Sequence, residues 1–386
     1  MTLSRKPQLI ILSDWFAPGY RAGGPITSCV NLAYAMRDYF DVKIITSDRD
    51  FGDRKPYASI SPNRWAEYDR EINVLYCRPG FSRFRLIQEI LRQSANATVL
   101  LNGMFSRSFT LLPLFVLSRI KNNHRVILAP RGMLKPSALE IKSWKKQVFL
   151  YLLKKWKFLR QITFHVTDQN EHDDVLRIFG DNSRIHIVPN CTTIPRQPEK
   201  TIEKKPGVLK IISVARIHPI KNTHFLIDSL SNTHHKIILD LYGPIEDTNY
   251  WKMCLQKIQS LPNNVRVVHR GELESQQVRP HIEKYHLFSL ATKGENFGHA
   301  IYEALSTGTP VLVSDQTPWR NLKHVRAGWD LPLSDVEEFS RTLNLISGYD
   351  QREYNQWSEG AYTHAEDFCA THNVTELYKE LFYNAA

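Results

Sequence analysis

Short β-branched apolar runs alternate with longer helical runs twice along this chain, and the two series are separated by a stretch that suits neither. In the first half, residues 8–13, 41–46, 73–77, 98–101 and 126–129 read as strands, with helical runs at 25–37 and 109–121. The second series has strands at 209–215, 236–242, 265–269 and 287–291, with helices at 222–230 and 274–285. Alternation of this kind builds a mainly parallel sheet, because parallel neighbours need a crossover long enough to hold a helix. The break carries Pro195, Pro198 and Pro206 and few apolar residues, so it reads as a linker. At 386 residues there is chain enough for two cores. The expected class is α/β, with two Rossmann-like doubly wound domains at 1–190 and 208–365, joined by a linker at 191–207. Such sheets bind ligands beyond the carboxyl ends of their strands, here in the cleft between the domains.

The densest chemistry lies in GENFGHAIYEALSTGTPVLVSD, residues 294–315. A helix begins at Gly298, runs through good helix formers and is stopped by Gly308 and Pro310; PVLVSD then reads as a buried strand. Glu295 therefore sits on the loop before a helix N-terminus, and Glu303 about two turns into the helix. Backbone N–H groups at such a terminus suit a phosphate. A carboxylate is a poor phosphate ligand but a good acceptor for paired sugar hydroxyls. Together they suit sugar, diphosphate and ribose in series, which is a nucleotide sugar.

The spaced pattern Glu295, Phe297, Gly298, Glu303, then Ala304, Leu305, Gly308, Pro310 and Val311 resembles the signature of the retaining GT-B glycosyltransferases of the large group 1 type (family 4). A second matching element is SVARIHPIKN, residues 213–222, where a strand delivers Arg216 and then Lys221. Two cations there suit a diphosphate clamp, and the resemblance assigns them to the leaving nucleotide. It also gives Glu295 the hydroxyls of the transferred sugar and Glu303 the ribose. The segment Asn296, Phe297, Gly298, His299, Ala300 and Ile301 would lie along the donor, with the N–H groups of the last three on its phosphates. By the same likeness Arg270 and Gly271 lie near the base, and the pair Gly23 and Gly24 near donor and acceptor. Many relatives place a histidine where this chain has Pro130, Arg131 and Gly132. Arg131 suits an acceptor or a phosphate but cannot take a proton. Retaining enzymes of this kind use the donor's own phosphate as base, so activity survives the change. Residues 374–383 read as an amphipathic helix, and the resemblance further implies two facing GT-B domains with such a tail helix, within 366–386, packing back onto the first.

Composition narrows the partners. The five cysteines are scattered without a C-x-x-C pair, which argues for reduced thiols and against a zinc site. None of the 15 histidines makes an H-E-x-x-H arrangement. Asp48-Arg49-Asp50 matches the Asp-x-Asp string of metal-dependent transferases, a common tripeptide, and no metal or other cofactor is expected. No G-x-G-x-x-G occurs, which disfavours a dehydrogenase. The apolar residues 9–12 are cut short by Asp14, too soon for a signal peptide, and the run at 111–117 is too short to span a bilayer. A cytoplasmic protein is expected.

The net charge of +11 concentrates in residues 142–161, which hold Lys142, Lys145, Lys146, Lys154, Lys155, Lys157 and Arg160, with no acid between 141 and 167. Trp144, Phe149, Tyr151, Trp156 and Phe158 are interleaved, and Leu150, Leu152 and Leu153 read as the buried side of a helix. The lysines with Trp156 suit the headgroup layer of an anionic membrane. No nucleic-acid module accompanies the charge. The function expected is a metal-independent, retaining transferase that moves a sugar from a nucleotide sugar to a glycan or lipid-linked acceptor, in cell-surface polysaccharide or lipopolysaccharide synthesis, peripheral to the cytoplasmic face of the membrane. The competing readings are a nucleotide-sugar epimerase of the same architecture and an inactive membrane-tethered binding module.

Overall fold

The computed structural model describes residues 6–120, 123–140, 143–181, 183–196, 202–371 and 373–384. The chain divides into two compact units, 1–191 with 373–386, and 192–372.

The strands of the first unit are β1 (Gln8–Ser13), β2 (Asp41–Ser47), β3 (Trp65–Asp69), β4 (Ile72–Cys77), β5 (Thr98–Asn102), β6 (Arg125–Ala129), β7 (Ile162–Val166) and β8 (Arg184–Ile187). They form one sheet in the order β3-β4-β2-β1-β5-β6-β7-β8. All neighbours are parallel except the edge pair β3–β4. The inner strands are buried on both faces, as a sheet covered by helices on both sides requires. Its helices are α1 (Gly24–Met36), α2 (Phe81–Gln93), α3 (Leu112–Leu117), α4 (Pro136–Glu140), α5 (Ser143–Lys155) and α6 (Gln169–Phe179). Side chains of α2, α3, α5 and α6, including Ile87, Leu114, Leu150 and Val175, pack on one sheet face. The other face is covered by Leu32 and Met36 of α1 together with Tyr378, Leu381 and Phe382 from the end of the chain.

The second unit has β9 (Val208–Val214), β10 (Lys236–Tyr242), β11 (Val265–His269), β12 (Leu287–Leu290), β13 (Val311–Ser314) and β14 (Gly328–Leu331). They run parallel in the order β11-β10-β9-β12-β13-β14. The helices are α7 (Thr223–Asp228), α8 (Thr248–Gln259), α9 (Ser275–Ile282), α10 (His299–Leu305), α11 (Val336–Gly348) and α12 (Gln351–Thr371); α13 (Val374–Asn384) returns to the first unit. Both sheets are doubly wound, and winding reverses between β1 and β5 in the first and between β9 and β12 in the second. Two such units are the GT-B fold.

Two expectations are revised. The division falls after Cys191, and the described part of the proline-bearing stretch belongs to the second unit: Arg196 N–H donates to Ser306 O, and the Lys204 ammonium donates to the carbonyls of Lys205, Ser347 and Tyr349 at the end of α11. The helical run at 109–121 opens as a π-helical turn, Arg107–Leu111, before α3. The C-terminal helix expected at 374–383, within 366–386, is α13, and it packs on the first unit.

Candidate donor site at the second switch point

Reversal of winding leaves room between the loops that follow the two central strands, and a ligand is held there. In the second unit those loops follow β9 and β12. The first carries Arg216 and Lys221, the second Glu295, so the two motifs read from the sequence meet at one place.

The β9 loop is fixed by its neighbours. Ile217 N–H donates to Pro244 O (2.9 Å), and Glu246 and Asp247 N–H both donate to Ile217 O (3.2 Å each). This close approach needs Gly243, with φ 139°, since a Cβ there would lie 2.1 Å from Ala215 O. Arg216 Nη1 donates to Glu246 Oε2 at 2.5 Å. The chain then makes a 3₁₀ turn, Pro219–Lys221, capped by the His218 ring, and Asn222 adopts the left-handed conformation (φ 57°) to start α7.

Lys221 Nζ meets Glu295 Oε2 at 2.5 Å, with the side chains only 15% and 19% exposed. The β12 loop is laced to the same turn through Lys293 N–H to Ile220 O (2.8 Å) and Thr292 Oγ1 to Ile220 O (3.1 Å). Burial pushes the Glu295 carboxyl up. The Lys221 charge and hydrogen bond, the Asn296 N–H and the His299 charge outweigh it and hold the group below its usual value. A fixed, ionised carboxylate beside a fixed ammonium can orient hydroxyls and phosphate at the same time.

Gly298 takes φ 79° and caps α10. A Cβ there would lie 2.8 Å from Ile301 Cδ1 and 3.2 Å from Glu295 Cγ, so glycine lets the carboxylate sit against the helix. The preceding Phe297 is buried, accepts Trp319 Nε1–H at its carbonyl (2.6 Å) and packs among Trp319, Tyr302 and Phe368. Its ring also faces His299. Ala300 and Ile301 complete the first turn of α10, and Ile301 N–H donates back to Gly298 O. Glu303 is nearer than expected, the fifth residue of a seven-residue helix and about a turn and a half from Gly298. Burial pushes its carboxyl up to about 8, against the pull of Arg279. Among the described residues its oxygens accept no hydrogen bond.

Arg270 and Gly271 follow β11. Arg270 Nε donates to Asp240 Oδ1 (3.0 Å), the Asp240 bond and charge raise the guanidinium, and Gly271 (φ 87°) has open space at its Cβ position. Sequence reasoning missed Glu246, Arg279 and Trp319. Each acts only through neighbours far away in the chain, and none stands in a pattern that marks it.

The remaining candidates lie in the first unit. Gly23 (φ 64°) caps α1 and Gly24 opens it. Arg131, also left-handed (φ 56°), donates from Nε to Asn102 Oδ1 (2.6 Å) and from Nη1 to Asn190 Oδ1 (2.8 Å) at the carboxyl edge of the sheet. The Asp48 and Asp50 carboxylates are used locally: Arg49 Nε binds Asp48, and Asp50 accepts the N–H groups of Tyr20, Arg21 and Phe51. Among the described residues no cluster of three or more His, Cys, Asp or Glu could hold a metal ion.

On α5, Lys145, Lys154 and Lys155 are exposed, as is Lys157 just beyond. Lys146 instead turns inward, donating to Ala138 O over the Phe105 ring, and Trp156 packs against the first core. Leu152, expected inside, is exposed. Lys142 lies outside the described residues. No described helix is long and apolar enough to cross a membrane.

Residues 196–364 match the family described as glycosyl transferases group 1. A probable sucrose-phosphate synthase of Thermosipho melanesiensis is 26% identical over 151 residues, 38% of this chain and 36% of that protein, so the match spans about a third of the relative. Among solved structures, Anabaena HepE in complex with UDP-glucose matches with TM-score 0.67 at 14% identity, over 97% of this chain and 98% of that one. WaaG, described as a glycosyltransferase involved in lipopolysaccharide biosynthesis, matches with TM-score 0.65 at 11% identity, over 97% and 100%. The second unit, which holds the paired cations and carboxylates, is a group 1 glycosyltransferase domain in a chain with the GT-B fold.

Proposed function

We propose that the chain transfers a hexose from a nucleoside-diphosphate sugar to a glycan or lipid-linked acceptor, with retention at the anomeric carbon and without a metal. The observation that carries this reading is the meeting of Lys221 with Glu295 across the switch point, with Arg216 on the same loop as Lys221. When the bond from the anomeric carbon to the β-phosphate oxygen breaks, the departing diphosphate gains negative charge. Arg216 and Lys221 meet that charge more strongly in the transition state than in the ground state, which is what accelerates a reaction. The acceptor hydroxyl forms the new bond to the same carbon on the same face and passes its proton to a phosphate oxygen of the donor. Glu295 orients the sugar, and the first N–H groups of α10 approach the phosphates. Ribose hydroxyls supply the donors that Glu303 lacks. Arg270 and Gly271 line the base, Gly23 and Gly24 approach the donor phosphates and the acceptor, and Arg131 serves the acceptor side.

Both cations are held by carboxylates, Arg216 by Glu246 and Lys221 by Glu295. Donor binding exchanges these partners for phosphate and hydroxyls. The UDP-glucose bound by HepE and the lipopolysaccharide role of WaaG support a nucleotide-sugar donor and a cell-surface glycan product. On this reading the acceptor is carried on lipid and the enzyme works at the cytoplasmic face of an anionic membrane. Thermal stabilisation by a panel of UDP-, GDP- and ADP-sugars tests the donor. A true donor at a hundred times its dissociation constant adds about 2.7 kcal/mol. No response from wild-type protein to any member would defeat the reading.

A further inference from the structure

The α5 helix is apolar on two opposite faces, and only one of them is packed. Leu150 and Leu153 are buried in the core of the first unit, with Phe149 partly buried against it. On the other side Trp144, Val148, Tyr151 and Leu152 are 67%, 52%, 62% and 61% exposed. Their spacing of four, three and one residues sets them within about 100° of the helix circumference. A soluble helix normally turns polar residues to that side, and large exposed apolar patches mark interaction surfaces.

The charges around the stripe identify its occupant. Lys155 falls inside the exposed arc, Lys145 and Lys154 flank it, and Lys157 and Arg160 follow. Lys145 lies 5.4 Å from the Trp144 ring centre and Lys155 5.7 Å from that of Tyr151. The same helical layer repeats the pairing, with Arg85 over exposed Phe81 at the start of α2 and Arg119 over exposed Phe115 of α3. No acid occurs from Ser143 to Thr167. A second copy of this chain would bring lysines against lysines. An anionic lipid surface offers both an apolar layer for the stripe and negative headgroups for its rim.

We propose that α5 docks the chain on an anionic lipid bilayer by inserting Trp144, Val148, Tyr151 and Leu152 between headgroups, with Lys145, Lys154 and Lys155 on the lipid phosphates. This deepens the membrane partner named above and rests on that reading for its purpose. Lys146 and Trp156, which face inward, take no part.

The test is co-sedimentation of the full chain with vesicles of phosphatidylcholine, alone or mixed with phosphatidylglycerol. Binding is expected to the mixed vesicles, to fall in high salt, and to be weak on the neutral ones. Trp144→Ala with Leu152→Ser should lower the partition coefficient by about tenfold or more. Lys154→Gln with Lys155→Gln should lower it by about tenfold. The lysine pair lies wholly on the surface, so it remains informative if the apolar pair fails to fold. Wild-type partition in both double variants overturns the proposal, as does equal binding to neutral vesicles. So does a concentration-dependent dimer, seen in sedimentation velocity without lipid, that the apolar pair abolishes. Hydrolysis of UDP-, GDP- or ADP-sugars without vesicles reports separately on the transferase reading. Retained hydrolysis with lost vesicle binding in both double variants supports the docking face. Vesicle binding by a wild-type chain that hydrolyses no donor supports the docking face and counts against the transferase alone.

Discussion

The two units share a winding rule but not a chemistry. In the second unit the loops after the central strands bring a lysine and a carboxylate together, with an arginine nearby on a second carboxylate. In the first unit the loops after β1 and β5 meet through an Asp14–Ser106 hydrogen bond (2.7 Å), and Arg131 is held by the amide oxygens of Asn102 and Asn190. A doubly wound sheet supplies a place for a ligand; the side chains on its loops decide which ligand. Charge in the second unit suits a diphosphate, whereas hydrogen bonding in the first suits a polyhydroxylated partner.

That contrast can be broken most directly through the cations. Arg216→Ala or Lys221→Ala should each lower kcat by about 10²- to 10³-fold. Asp14→Ala in the first unit, which removes one hydrogen bond, should cost no more than about tenfold. Release of nucleoside diphosphate from the donor identified by stabilisation measures both, and equal losses would erase the distinction.

A carboxyl raised from its ordinary 4.5 to about 8 leaves a definite signature. Glu303 is protonated in the folded chain at neutral pH but ionises in the unfolded one. Its contribution to stability is therefore full below about 4.5 and is lost as pH rises through about 8. Glu303→Gln should flatten this decline and raise the thermal midpoint above pH 8. Ribose hydroxyls favour the ionised form, so donor-induced stabilisation should grow with pH in the wild type and not in the variant. Donor affinity in the variant should fall by about tenfold, the worth of one hydrogen bond to a charged group. Calorimetry from pH 6 to 9 checks each sign.

The smallest effect sharpens the comparison at two glycines. Gly298 and Gly23 have similar left-handed φ, 79° and 64°. Alanine at either should cost about 1 kcal/mol or a little more in denaturant unfolding. Only at Gly298 would the new methyl group also press on Ile301 and Glu295. Donor affinity should therefore drop further in Gly298→Ala than in Gly23→Ala.

Much of the candidate site was legible because its residues are close in sequence and bounded by punctuation. Gly298, Gly308 and Pro310 fix where α10 starts and stops, and that fixes where Glu295 and Glu303 stand. Arg216 and Lys221 were legible for the same reason. Glu246 was not: it meets Arg216 only because β10 lies beside β9, and sheet order is not written in local spacing. The strands β3, β7, β8 and β14 were missed: R-I-H-I and G-W-D-L are short and mixed in polarity, W-A-E-Y-D is an edge strand with mostly exposed residues, and I-T-F-H-V follows the basic run at 142–161 with no turn residue to mark its start. On α5 the period of 3.6 was plain, but a helix with two apolar stripes satisfies that period twice. The sequence therefore suggested Leu152 as core and Lys146 and Trp156 as surface, and tertiary packing chose otherwise.

The return of α13 has a consequence for how the protein is made. Tyr378, Leu381 and Phe382 close one side of the sheet that β1 begins, and the entire second unit is translated between them. On the ribosome the first unit is started early, but the side of its sheet that α1 covers in part is closed only when the last helix emerges. The second unit is continuous in the chain, so all of it is available for folding before the first unit has its final piece.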